Sequence, residues 1–185
     1  MANCPICKNQ ILTPTKISGD LAGVGCTECG GLLLGLVNYR VWRENQDFSA
    51  SPDMTKKPAI DPEIVNTEHA CQCPKCQGVM SKYRFSVDTD SQLDFCFHCE
   101  EIWFDQGEWA LLEELSLTAE LTQIFTRPWQ HTLVREKISR SSQQRWKQRF
   151  GDDYARVSEI CAWILDHPSK SQIMAYLTNA IRGAD

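Results

Sequence analysis

Eight of the ten cysteines in this 185-residue chain stand in C-x-x-C pairs. They are Cys4-Pro-Ile-Cys7, Cys26-Thr-Glu-Cys29, Cys73-Pro-Lys-Cys76 and Cys96-Phe-His-Cys99. Each pair forms a tight knuckle with two sulfurs on one side. The first two pairs are separated by 18 residues and the last two by 19, the spacing of a four-thiolate metal site. Soft thiolates closing a tetrahedron match the preferences of Zn²⁺, so the expected cofactor is two zinc ions. Two other chemistries stay open: four cysteines can also hold iron and carry electrons, and a C-x-x-C pair can cycle as a disulfide. No thioredoxin-like βαβ pattern surrounds these pairs, which weakens the disulfide reading.

The elements around the sulfurs must return the chain on itself. A shift of 69 to 70 positions superposes all four cysteines of the two halves, so the chain carries a tandem repeat. Thr15 to Val24, with Ser-Gly-Asp at its centre, supplies a hairpin between the first two knuckles. Gly30 and Gly31 follow Cys29, where a knuckle often needs positive φ. Glu100 and Glu101 hold those places in the second half, so the two knuckles need not be identical in backbone. After Cys99 the chain reads Ile102-Trp-Phe-Asp-Gln-Gly-Glu-Trp109. Asp105 and Glu108 form a D-x-x-E capping box, and Trp103 and Phe104 can fill the apolar space beside the metal.

The C-P-x-C pair, the second Cys pair and the W-F-D-x-G-E run together resemble the transcription-factor-IIB-type zinc-ribbon family over about residues 71 to 115. The resemblance implies a zinc ribbon with Cys73, Cys76, Cys96 and Cys99 as ligands, and implies no biochemical activity. The first half, with Cys4, Cys7, Cys26 and Cys29, is a more divergent relative. It reads Leu-Leu-Leu-Gly-Leu-Val where the second reads Ile-Trp-Phe-Asp-Gln-Gly. Lacking the capping box, Leu32 to Tyr39 is expected to run extended rather than enter a helix. Gly19, Gly23 and Gly25 read as turns, because no Lys-Ser/Thr follows them as a phosphate loop requires.

Residues 46–70 read as an exposed linker, extended by Pro52, Pro58 and Pro62. Cys71 is a free or partly buried thiol, since C-x-C cannot span a knuckle. His69 is expected to face solvent and His98 to point away from the metal.

From Asp105 the apolar period becomes helical. Trp109, Leu112 and Leu115 lead to a break near Ser116-Leu-Thr118, followed by Leu121, Ile124 and Phe125. Arg127-Pro128 starts a helix that stops at Gly151, with Trp129, Leu133, Ile138, Trp146 and Phe150 as its buried positions. Asp152 or Asp153 opens another helix, His167-Pro168-Ser169 breaks it, and Ile173 to Ile181 mark the last. Cys161 is read as a small core residue, and the region as a compact all-α module.

Charge is uneven. Residues 127–150 carry seven cations against one acid, Glu136, a net of +6. Residues 71–126 carry three against ten, a net of −7, and the whole chain is at −5. A basic helix beside zinc ribbons points to phosphate through Arg135, Lys137, Arg140, Arg145, Lys147 and Arg149; pairing with the acidic segment before it is the competing reading.

The expected fold class is therefore small α+β metal-bound domains plus all-α: ribbon 1 at 1–45, linker at 46–70, ribbon 2 at 71–104 and a helical module at 105–185. The expected function is non-enzymatic: zinc binding, with the ribbons and basic helix mediating macromolecular interaction, transcription-related or with nucleic acid. A protein–protein adaptor is the alternative, beside the iron or redox carrier. Neither a membrane partner nor a small-molecule substrate is expected, because no apolar run is long enough to span a bilayer and no H-E-x-x-H, G-x-S-x-G or nucleotide loop occurs. Paired cysteines without a leader-like apolar start place the chain in a reducing compartment, the cytoplasm.

Overall fold

The computed structural model of the protein describes residues 2–47, 67 and 69–182. The expected linker lies almost wholly outside these residues. The chain falls into two compact units, Met1–Lys137 and Ile138–Asp185.

The first unit is built on one six-stranded antiparallel sheet. Each half of the repeat contributes three strands: β1 (Thr13–Ser18), β2 (Leu21–Gly25) and β3 (Leu32–Gly35), then β4 (Ser81–Arg84), β5 (Gln92–Cys96) and β6 (Glu101–Phe104). The order is β1-β2-β3-β6-β5-β4, so the two ribbons join edge to edge through their third strands. Leu32, Leu33, Leu34 and Gly35 pair with Phe104, Trp103, Ile102 and Glu101.

Alternation along the strands sorts side chains onto two faces. Leu34, Leu93, Phe95, Ile102 and Phe104 enter a core with the helices. Leu33, Cys96 and Trp103 enter a second core that contains both cysteine clusters, Cys71 and Met80. One sheet thus separates an apolar helical layer from a layer of sulfur and metal.

Helix α1 (Leu36–Glu44) leaves β3 directly, so the extended run expected for Leu32 to Tyr39 ends at Gly35. The reason lies in the other half of the repeat. Gly35 gives the helix no side-chain cap, but the Leu36 N–H donates to the Glu100 carbonyl at 2.9 Å. Leu36 and Tyr39 are buried, the Tyr39 hydroxyl donates to the Thr118 carbonyl at 2.7 Å, and Arg43 Nε donates to Ala119 O at 2.7 Å. Tertiary contacts hold a helix that lacks a local start signal.

Helix α2 (Glu108–Glu114) follows β6. Half of the capping box is present: the Asp105 N–H donates to Glu108 Oε2 at 2.9 Å. The Asp105 carboxylate is otherwise engaged, accepting the Trp103 indole N–H at 2.9 Å and the Thr67 N–H at 2.6 Å. The helix starts instead at Gly107, whose φ of +85° suits glycine. The break near Ser116 is present, with φ +58° there and a 3₁₀ turn over Thr118–Glu120. One helical turn, α3 (Leu121–Ile124), leads to the long α4 (Arg127–Phe150), which ends at Gly151 with φ +54°.

The second unit holds the end of α4, helix α5 (Tyr154–Asp166) and helix α6 (Lys170–Arg182). The helix positions agree with the periodicity, but the expected core does not form. Ile138, Trp146, Phe150, Ile160, Tyr176, Leu177 and Ile181 are exposed, as is Cys161. Trp129 is half-buried and Leu133 is the buried residue of α4. Two short helices and the end of a third cannot enclose the apolar residues they carry.

Gly31 sits against the ring of the buried Trp103: a Cβ there would lie 2.2 Å from Trp103 Cζ2. Gly31→Ala is expected to destabilise the first unit by about 1–3 kcal/mol through overpacking, seen as a Tm several degrees lower in thermal melts of the zinc-loaded protein.

Candidate metal centres

Two four-cysteine groups are assembled: Cys4, Cys7, Cys26 and Cys29, and Cys73, Cys76, Cys96 and Cys99. Within each group all sulfurs lie within 4.8 Å of one another. Sγ of Cys4 is 3.6 Å from Cys29, Cys26 is 3.8 Å from Cys7, and Cys76 is 3.6 Å from Cys96. A tetrahedron with metal–sulfur bonds of about 2.3 Å has edges of about 3.8 Å, so the sulfurs are spaced for zinc. In both groups the first and third cysteines are buried and the other two half-buried.

The backbone builds the two sites alike. The residue after the second cysteine has positive φ in both, Lys8 at 60° and Gln77 at 62°. Its N–H donates to the carbonyl of the first cysteine, Lys8 to Cys4 at 2.9 Å and Gln77 to Cys73 at 2.8 Å. After the fourth cysteine Gly30 has φ +67° and Glu100 φ +53°. The two knuckles therefore share this backbone: Glu100 takes the left-handed conformation that Gly30 adopts without steric cost. Its carbonyl serves α1, and its carboxylate lies 3.4 Å from Arg40 in an exposed pair.

Crowding four thiols sets which ionises first. Burial opposes charge on Cys26, but backbone N–H groups of Cys29 and Glu28 outweigh it and bring the thiol down to about 7. In the second site the Gly78 N–H brings Cys76 down to about 7. Burial pushes Cys7 up to about 11, against a lowering hydrogen bond from Cys29, and Cys99 up to about 12, where the sulfurs of Cys73, Cys76 and Cys96 add to it. A divalent cation is the natural means of stabilising negative charge on sulfurs packed this closely.

His98 and His69 are exposed, and neither belongs to a sulfur group. Cys71 is buried at 2 % exposure in the metal-side core, beside the ligands but not among them. Burial, with Asp94 and Asp105 nearby, holds its thiol well above the usual range, which keeps it neutral. Lys75 forms an ion pair with the buried Glu101 next to the second site. The cations Arg135, Lys137, Arg140, Arg145, Lys147 and Arg149 all lie on α4, away from either sulfur group in sequence.

Residues 72–114 match the family model described as the transcription factor zinc-finger, a zinc ribbon of transcription-factor-IIB type. The match covers the second ribbon; the first has the same cysteine geometry without a match of its own. No curated protein and no solved structure matches the chain. Two four-cysteine groups on one small antiparallel sheet, followed by a C-terminal helical region, are consistent with two zinc ribbons and a helical module, and both groups fit zinc. Among the described residues no helix is long and apolar enough to cross a membrane.

Because binding expels thiol protons, zinc affinity should rise with pH. Each thiol proton expelled adds a factor of about ten per pH unit, so binding by four cysteines is expected to weaken by up to about 10⁴-fold per unit as pH falls. Competition with a colorimetric chelator between pH 5.5 and 8 measures this. Cys26→Ser and Cys76→Ser should each reduce zinc content from two ions to one per chain, and full chelation should unfold the sheet, read by near-UV circular dichroism.

Proposed function

We propose that this is a non-enzymatic zinc-binding protein whose ribbons present a scaffold and whose basic helix contacts nucleic acid. The observation that carries this reading is α4, whose seven cations face one acid. Arg135, Lys137, Arg145, Lys147 and Arg149 are exposed and Arg140 is half-exposed. At 3.6 residues per turn Arg135, Arg145 and Arg149 fall on one side and Lys137, Arg140 and Lys147 on the other. Such a helix meets phosphate along two flanks, which supports backbone binding rather than base reading.

An aromatic surface accompanies the charge. The exposed rings of Trp146 and Phe150 stack with centroids 5.3 Å apart and planes at 9°, and the Arg149 guanidinium lies 5.9 Å from the Trp146 ring. Exposed rings flanked by cations are suited to unpaired bases, which favours single strands. The acidic second ribbon would repel phosphate, so contact is assigned to α4. A four-thiolate shell leaves no open position for water or substrate, which supports a structural role for the metals. Reduced zinc-bound thiolates fit an intracellular setting.

Fluorescence anisotropy with a labelled single-stranded oligonucleotide tests the reading. Six phosphate contacts predict that log K falls against log salt with a slope of about −4. The triple substitution Arg145→Gln, Lys147→Gln, Arg149→Gln should reduce that slope by about 2, and Trp146→Ala should cost about 1–3 kcal/mol of binding. Absence of binding at low salt, for single and double strands alike, would leave the protein adaptor as the better account.

A further inference from the structure

The second unit exposes more apolar surface than a separate chain segment of its size can leave in water. On α5 the residues Val157, Ile160, Cys161, Ile164 and Leu165, with Trp163 at the margin, cover more than half of the helix circumference. On α6 the residues Ile173, Met174, Tyr176, Leu177 and Ile181 form a second broad stripe. Among these, Ile164 is the buried one. Trp163 is 58 % exposed, Leu165 71 %, Tyr176 72 % and Ile181 68 %. Between the helices lies an open groove of about 470 Å³, walled by Ile160, Trp163, Ile164, Ile173, Tyr176 and Leu177. Each helix has 13 residues, near the limit for holding its shape alone. The hairpin therefore needs another apolar layer.

We infer that this layer is the same hairpin of a second copy, so that two α5–α6 pairs close a four-helix bundle about a two-fold axis. Area supports a self-complementary partner. The exposed parts of Ile160, Trp163, Leu165, Met174, Tyr176, Leu177 and Ile181 together approach the ~800 Å² per partner of a standard interface. That exceeds the ~300–600 Å² patch typical of a monomer. Charge supports it as well. The hairpin carries Arg156, Lys170 and Arg182 against Glu159 and Asp166, a net of only +1 on residues 154–182. Two copies can approach there without the repulsion that the +6 of α4 would impose. Both partners also bring the missing half of the same layer, which is the requirement of an isologous contact.

Sedimentation velocity on the zinc-loaded, nuclease-treated full chain at tens of micromolar tests the inference. The expected mass is that of a dimer. Trp163→Glu with Tyr176→Glu should shift it to a monomer that retains two zincs, whereas Val41→Glu, on the exposed side of α1, should remain dimeric. Because the double variant can lose its helices, a second measurement uses Cys161→Ser chains labelled at Ala155→Cys, an exposed position on the opposite side of α5. Mixing donor- and acceptor-labelled protein should give strong energy transfer between copies. A wild-type monomer at these concentrations would overturn the inference, whether the chain's own ribbons or a different protein covers the face. A dimer that survives the double substitution, or one without energy transfer between the α5 labels, would overturn it too.

Discussion

Pairing of β3 with β6 is the contact on which the rest of the first unit depends. Taken alone, each ribbon is a three-stranded sheet whose third strand would be a bare edge. Those edges carry Leu32-Leu33-Leu34 and Ile102-Trp103-Phe104, apolar on both faces, which is the kind of edge that seeks another strand. Joining them satisfies both at once. It also places Leu33 opposite Trp103 on the metal side and Leu34 opposite Ile102 on the helix side, so neither core belongs to one ribbon. The repeat is thus more than two beads in sequence: it supplies two halves of one sheet.

That joint explains which features were legible in the sequence and which were not. The cysteine spacings encode both sulfur groups because each knuckle is local, closed by bonds between residues four apart such as Lys8 to Cys4. The breaks at Ser116 and Gly151 were equally local, residing in turn chemistry. Helix α1 was hidden because its first N–H is satisfied by Glu100, 64 residues on, and its inner residues dock on Thr118 and Ala119. The positive φ at Glu100 was hidden for the same reason that it is tolerated: the surrounding knuckle imposes it. Periodicity located α4, α5 and α6 correctly but equated apolar stripes with burial. A stripe states that a face wants covering; it does not state that the same chain covers it.

The polar groups buried near the sheet show how tightly the first unit is specified. Asp94, 1 % exposed, receives Lys82 Nζ at 2.9 Å, yet burial still pushes its carboxyl up to about 6. Glu108 is fully buried and accepts N–H groups from Asp105 and Gln92; burial raises it well above the carboxylate range. Between the ordinary carboxylate value and these raised ones the folded state binds more protons than the unfolded chain. Their contribution to stability therefore falls as pH rises through that window. The thiols run the other way, since metal binding improves as pH rises. Structural zinc sites carry apparent energies of about 10–16 kcal/mol near neutrality, so the metal is expected to set the direction of the pH dependence there.

The two units consequently stand in different thermodynamic positions. In the first, metal, sheet and helices close every large apolar side chain of the two cores, and Trp103, Ile102, Leu34 and Leu112 are inaccessible to water. Outside those cores the unit still exposes Val37, Val41, Val79 and Phe97. In the second, the favourable term that offsets chain entropy is largely unrealised, since Trp163, Leu165, Tyr176 and Ile181 remain in water. Helix α4 runs from one condition to the other, anchored by Leu133 and by Gln130, whose amide donates to the carbonyls of Arg84 and Ile124. Its cations lie mainly beyond that anchor in sequence. The division sets closely packed sulfurs in one unit and uncovered apolar side chains in the other.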